Sequence, residues 1–195
     1  LKQALAELAE ANHRANEAMQ EAQRQNEALA EQESRIRFLA HHDELTRLPN
    51  RVLLQEQIGA ALRFAEDRGT PIALLYLDLD RFKEVNDTLG HQVGDALLRT
   101  VAKRIAACLE QTDGIARLGG DEFAVISLSP GQPAGAQALG ERIIRALSQP
   151  YEVLGHTIGT SVSIGVALGD AGTSDPDTLL QRADLALYEA KARGR

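Results

Sequence analysis

The sequence predicts an α/β sandwich, in which helices cover a mixed five-stranded sheet, behind one long N-terminal helix. Three observations lead there. Residues 1–38 contain no Gly or Pro and are rich in Ala, Glu, Gln and Arg. A continuous apolar run of strand length, Ile72-Ala-Leu-Leu-Tyr-Leu77, closes on Asp78-Leu-Asp80. Beyond it, helical periodicities alternate with short apolar strands, some of them spaced as hairpins.

The first segment carries a heptad seam. Leu1, Leu5, Leu8, Asn12, Ala15, Met19, Ala22, Asn26, Leu29, Glu33 and Ile36 follow alternating steps of four and three. With Leu8, Ala15, Ala22, Leu29 and Ile36 at d positions, Asn12 and Asn26 fall at a. Buried Asn there selects a parallel two-stranded coil in fixed register, at a cost in stability. The seam is weakly apolar, so we expect a marginal homodimeric coil over residues 1–40; a single solvated helix is the alternative. Pro49 and Asn50 break the pattern, and Asn50 is placed to cap a helix running to about Asp67. Its expected apolar face is Val52, Leu53, Ile58, Leu62 and Ala65.

The apolar run from Ile72 lacks alternation, which predicts a central strand buried on both faces. An amphipathic helix follows over about Asp95–Glu110. Ile115–Leu118 and Phe123–Leu128 flank Gly119-Gly120-Asp121-Glu122, a hairpin pattern. A helix near Ala136–Leu147, strands near Tyr151–Leu154 and Thr160–Leu168, and a helix over Pro176–Ala192 capped by Asp175 complete residues 41–195.

The 195 residues are 44% hydrophobic and 25% charged, ordinary for a globular protein. Aromatics make up 4%, with no Trp, and the formal net charge is −7. That combination argues against a nucleic-acid partner, which needs cationic surface and stacking rings. Cys108 is the single cysteine, which excludes an internal disulfide, fits a cytoplasmic setting and reads as a buried thiol. No run reaches the ~18 apolar residues of a membrane span. The chain starts at Leu1 and stops at Arg195, so we expect a piece of a longer parent that carries an upstream sensor, a membrane anchor or a second catalytic domain.

Candidate chemistry gathers at two turns. Asp78 and Asp80 share one side of a strand end, with Leu79 pointing away. The hairpin tip adds Asp121 and Glu122. Such carboxylates repel one another unless a cation is present, and hard oxygen ligands suit Mg²⁺ or Mn²⁺ beside substrate phosphates. Gly119 and Gly120 permit close backbone approach to a ligand; ordinary acidic turns are the alternative. Lys83 can neutralise phosphate charge or be a solvated lysine. Asn86 and Asp95 have hydrogen-bonding groups complementary to guanine, yet each also suits a turn or cap. Lys191 and Arg195, four apart near the end of the last helix, can reach phosphates or merely complement the helix terminus.

Taken together, these stretches resemble the GGDEF family of diguanylate cyclases. The resemblance rests on Arg117-Leu-Gly-Gly-Asp-Glu-Phe123, on Asp43-Glu-Leu-Thr-Arg-Leu-Pro-Asn-Arg51, and on Asp78-Leu-Asp-Arg-Phe-Lys83 with Asn86-Asp87. Gly90-His91, Gly94-Asp95, Ser161–Ala167 and Ala183–Lys191 extend it across residues 41–195. It implies a fold similar to the palm of nucleotidyl cyclases and polymerases, and condensation of two GTP into cyclic di-GMP. It further implies two divalent ions held by Asp78, Asp121 and Glu122 with the Leu79 carbonyl, and Asp121 as proton acceptor. Lys83, Lys191 and Arg195 would meet phosphates. Asn86, Asp95 and His91 would read guanine against Phe82 or Leu53. Each domain would bind one GTP, so two must face each other, which gives the coil a purpose.

One departure stands out. Many family members carry an Arg-x-x-Asp product-inhibition site; here the stretch is Glu110-Gln-Thr-Asp113, without the arginine that would grip a phosphate. No product inhibition is expected through it. A GTP-binding regulatory domain beside a downstream phosphodiesterase, and a coiled-coil module with no ligand, are the other functions compatible with the sequence.

Overall fold

The computed structural model describes residues 2–129, 131–170 and 175–192. The chain divides into two units, Leu1–Ala40 and His41–Arg195. In the first, helix α1 (Lys2–His41) runs unbroken for 40 residues, as the absence of Gly and Pro dictates. Met19, Leu29 and Ile36 are exposed along it. Leu1 and the side chains of Leu5, Leu8, Asn12 and Ala15 lie outside the described residues.

The second unit is built on strand β1 (Ile72–Leu79). Helix α2 (Arg51–Arg68) precedes it. The Asn50 side chain accepts from the Val52 and Leu53 amides, and Gly69 closes the helix in the left-handed conformation at φ 63°. After β1 come α3 (Phe82–Leu89), α4 (His91–Ala106), β2 (Gly114–Gly119), β3 (Glu122–Ser127) and α5 (Ala134–Leu147). The chain then forms β4 (Tyr151–Val153), β5 (His156–Ile158), β6 (Val162–Gly169) and α6 (Pro176–Ala192). Asp175 accepts from the Thr178 amide at 2.8 Å, the expected cap of α6.

The sheet differs from the mixed five-stranded one predicted. Among the described residues it has four strands in the order β2-β3-β1-β6, and every pair is antiparallel; β4 and β5 form a separate two-stranded hairpin. β1 is central and buried, as its unbroken apolarity requires. On one face, Leu74 and Tyr76 pack with Leu54, Ile58 and Leu62 of α2 and Leu179, Ala183 and Leu187 of α6. On the other, Leu75, Leu77 and Phe123 pack with Leu97 and Val101 of α4, Leu139 and Ile143 of α5, and Tyr151. Gly165 lets α6 lie directly on β6, because a Cβ there would overlap the backbone of Ala183 and Leu187. Cys108 is buried in the turn after α4, and burial pushes its thiol pKa up. No helix among the described residues is long and apolar enough to cross a membrane.

Candidate active site

Antiparallel pairing of β1 with β3 sets Asp78 directly opposite Glu122, so the two acidic side chains project from the same face of the sheet. That face is the one covered by α6. From the last turn of α6, Lys191 extends its Nζ to 2.7 Å from Asp78 Oδ2. The β2–β3 turn supplies Asp121, whose backbone carbonyl accepts from Leu79 N at 3.3 Å. Gly119 and Gly120 adopt φ of 140° and 52°, conformations that glycine reaches at little cost.

A cleft of about 360 Å³ opens here. Asp78, Leu79, Phe82, Lys83, Asp121 and Lys191 line it, together with Asp80, Arg81, Glu84 and Asp87. Burial and the nearby Asp78 charge push the Asp121 carboxyl pKa above its usual range; Glu122 adds to this and Lys191 opposes it. The site therefore carries negative charge that Lys191 relieves only in part. Among the described residues no three acidic, His or Cys side chains stand together as a ready metal cage. A hard cation that takes one or two carboxylates and completes its shell with phosphates and water needs no such cage. The donor set fits that mode, with the Lys191 ammonium beside Asp78 where positive charge is wanted.

Phe82 is buried at the start of α3 and lines the cleft, whereas Leu53 sits on α2 and does not. Asn86 lies half-buried against Gly94: a Cβ at Gly94 would overlap the Asn86 amide oxygen and stand 3.2 Å from the Phe82 ring. His91 and Asp95 are exposed one turn apart on α4, next to this contact. Phe82 thus links the acidic cleft to the Asn86–Asp95 group. Lys83 is exposed at the cleft, in the first turn of α3. Arg195 lies outside the described residues.

Asp80 departs from its neighbour. It is buried and accepts from Ser161 Oγ at 2.6 Å and Ser163 Oγ at 2.8 Å, so its carboxylate ties β1 to β6. Two contributors were not visible as site residues in the sequence. Arg117 binds both Asp43 oxygens at 2.8 Å and the Gly120 carbonyl at 2.7 Å. The Tyr76 hydroxyl donates to Glu122 Oε2 at 3.1 Å. The two-residue period of β1 carries the Tyr76 signal, since Tyr76 and Asp78 must share a face. A separate cavity of about 400 Å³ lies against Gln57, Phe64 and Asp113. Among the described residues, Asp113 is the one charged side chain lining it.

The profile of the family described as "Diguanylate cyclase, GGDEF domain" matches residues 40–195. The chain belongs to the GGDEF family. This GGDEF chain is 38% identical over 192 residues to the diguanylate cyclase TpbB of Pseudomonas aeruginosa, covering 98% of the chain and 44% of TpbB. It is 44% identical over 168 residues to MucR of the same organism, a bifunctional diguanylate cyclase/cyclic di-GMP phosphodiesterase, covering 86% of the chain and 24% of MucR. It therefore spans less than half the length of these curated relatives. The solved coiled coil and GGDEF domain of DgcB from Caulobacter crescentus, in complex with c-di-GMP, superposes with a TM-score of 0.77. The identity there is 32%, over 91% of this chain and 94% of that one.

Proposed function

We propose that this GGDEF domain condenses two GTP molecules into cyclic di-GMP, releasing two pyrophosphates, as a homodimer assembled through residues 1–40. The observation that carries this is the convergence of Asp78 on β1, Asp121 at the signature turn and Lys191 on α6 at one cleft, with Glu122 paired directly across the sheet from Asp78.

Asp78, Asp121, Glu122 and the Leu79 carbonyl would hold the divalent ions, two Mg²⁺ or Mn²⁺ per half-site. Bound there, such ions lower the pKa of a 3′-hydroxyl and polarise the α-phosphate. Asp121 combines ligation with accepting the hydroxyl proton. Lys83, Lys191 and Arg195 bind phosphate oxygens and take up charge as the pyrophosphate leaves. Gly119 and Gly120 admit the nucleotide close to the backbone. Asn86 and Asp95, with His91 beside them, read the guanine edge, and Phe82 supplies the apolar wall.

Each half-site holds one GTP, so the attacking hydroxyl and the α-phosphate come from different domains. Residues 1–40 raise the effective concentration of one half-site about the other. The exposed Met19, Leu29 and Ile36 support a coil, since a lone helix gains nothing from an apolar row. An upstream sensor in the parent protein acts through this coil, and a phosphodiesterase domain downstream, as MucR's name describes for that relative, is compatible with the same arrangement. One-residue insertions into α1 rotate the register and are expected to change turnover sharply; constant turnover across an insertion series removes the coil from control.

The test of the activity is incubation of purified protein with GTP and Mg²⁺, with products separated by chromatography and Glu122→Gln as control. Cyclic di-GMP formed by the wild type and absent from the control is the expected result. GTP bound without turnover would replace this function with a regulatory GTP-binding one.

A further inference from the structure

The stretch Asp43–Arg51 has no part in the chemistry above, yet it reaches both sides of the signature turn. Asp43 accepts from Arg117 Nη1 at 2.8 Å on each carboxylate oxygen. The same guanidinium directs Nε and Nη2 onto the Gly120 carbonyl at 3.2 and 2.7 Å. The Arg117 amide also donates to Pro49 O at 2.9 Å. At the other end, Arg51 Nη2 donates to the Tyr76 hydroxyl at 3.4 Å, and that hydroxyl donates to Glu122 Oε2 at 3.1 Å.

Tyr76 is only 4% exposed and packs in the core between the sheet and helices α2 and α6. A phenylalanine would fill that space equally well. What the hydroxyl adds lies at the carboxylate, because a buried hydroxyl needs a partner and this one has taken Glu122. Donation to Oε2 fixes the side-chain rotamer and leaves Oε1 for another ligand. The Arg51 guanidinium polarises the hydroxyl and strengthens its donation, although at 3.4 Å its share is the smaller. On the other side, a Gly120 carbonyl held from two nitrogens restrains a turn whose two glycines would otherwise leave it loose.

We infer that Asp43–Arg51 is a two-armed clamp on the signature turn, with Arg117 holding the Gly120 backbone and Tyr76 aiming the Glu122 carboxylate. Both are positioning residues. The inference rests on the proposal above that Glu122 is a metal ligand. Groups that orient a metal ligand typically change metal affinity about 10–100-fold when lost.

The experiment is Mn²⁺ binding to the full chain with a non-hydrolysable GTP analogue, followed by the electron paramagnetic resonance signal of free Mn²⁺. Wild type, Glu122→Gln, Tyr76→Phe and Arg117→Lys are compared, with thermal unfolding of each. Wild type is expected to bind and Glu122→Gln to lose affinity. Tyr76→Phe and Arg117→Lys should each bind about tenfold more weakly, and Tyr76→Phe should do so with its unfolding midpoint near that of wild type. Tyr76→Phe keeps the ring in place, so it decides the matter if Arg117→Lys does not fold. Wild-type affinity in Tyr76→Phe, with Glu122→Gln impaired, overturns the clamp alone. A wild type that takes up no Mn²⁺ in the presence of nucleotide overturns the metal proposal and the clamp together.

Discussion

Replacing Asp43 by Asn keeps the shape of the side chain and removes its charge. Asp43 Oδ1 also accepts from the Thr46 amide at 2.8 Å and the Thr46 hydroxyl at 2.6 Å, and an amide oxygen can retain both. Lost are the negative charge and the Arg117 Nη1 bond to Oδ2, which an amide nitrogen cannot accept; the Arg117 side chain is 10% exposed against 20% for Asp43. Hydrogen bonds to charged groups contribute about 1.5–3 kcal/mol, and breaking a fully buried pair costs about 3–5 kcal/mol. Residual water access argues for the low end, about 2–3 kcal/mol. For a unit of this size each kcal/mol moves the midpoint by about 2–4 °C, so a fall of roughly 4–12 °C is expected. All three tyrosines lie in residues 41–195, so near-ultraviolet circular dichroism of tyrosine follows that unit. The pH dependence has a definite sign. Burial raises the Asp43 pKa, but hydrogen bonds from Thr46 and Arg117 and the Arg117 charge outweigh it, leaving the carboxyl below its ordinary value. A depressed carboxyl contributes stability that is complete above the unfolded value, about 3.9, and is lost as pH falls through the folded one. The wild-type advantage over Asp43→Asn should hold from pH 7 to about 5 and shrink only below about 4. An equal midpoint at pH 7, or a difference indifferent to acid, refutes the ion pair as a structural tie.

Three further outcomes are expected. Gly165→Ala drives a Cβ into the backbone of α6, so it should cost at least about 2 kcal/mol in denaturant unfolding and weaken nucleotide binding by displacing Lys191. Asp121→Asn should raise the unfolding midpoint at pH 7 in the absence of metal and nucleotide while abolishing turnover. Its carboxyl pKa is raised by burial and Asp78, so the charged form is a deficit present above the folded pKa and relieved as pH falls through it. Asp113→Ala should leave cyclic di-GMP affinity unchanged, as read by calorimetric titration. Glu110 stands where a phosphate-gripping arginine would be, and Asp113 Oδ2 is engaged by the Glu110 amide at 3.0 Å.

Much of this molecule was legible because single residues carry strong local signals. Asn50 marked the start of α2, Asp175 that of α6, the apolar run a central β1, and Gly119-Gly120 a hairpin. The α2 face was partly misjudged: Leu54 is buried and Val52 is 50% exposed. Three consecutive apolar residues leave helix phase open, and packing against the sheet chooses it. Helix α3 went unseen because it is eight residues long, polar, and entered through Arg81 at φ 59°. The β4–β5 hairpin turns at Leu154 and Gly155, at φ 48° and 82°. A leucine in that conformation gives none of the usual Asn-Gly signal. Sheet direction failed for a different reason, since β1 pairs with β6, about ninety residues away, and no local pattern encodes such a pairing. The acidic residues drew notice through their chemistry alone, whereas the contacts of Arg117 and Tyr76 with the signature turn exist only once the fold has formed.

The most direct measurement is calorimetric titration of a non-hydrolysable GTP analogue into the wild type and Asp78→Asn, each with and without Mg²⁺. Nucleotide affinity in the wild type should rise about tenfold or more, about 1.4 kcal/mol, when Mg²⁺ is supplied, and Asp78→Asn should lose that gain. Equal affinity with and without the ion would contradict the account of the acidic cleft.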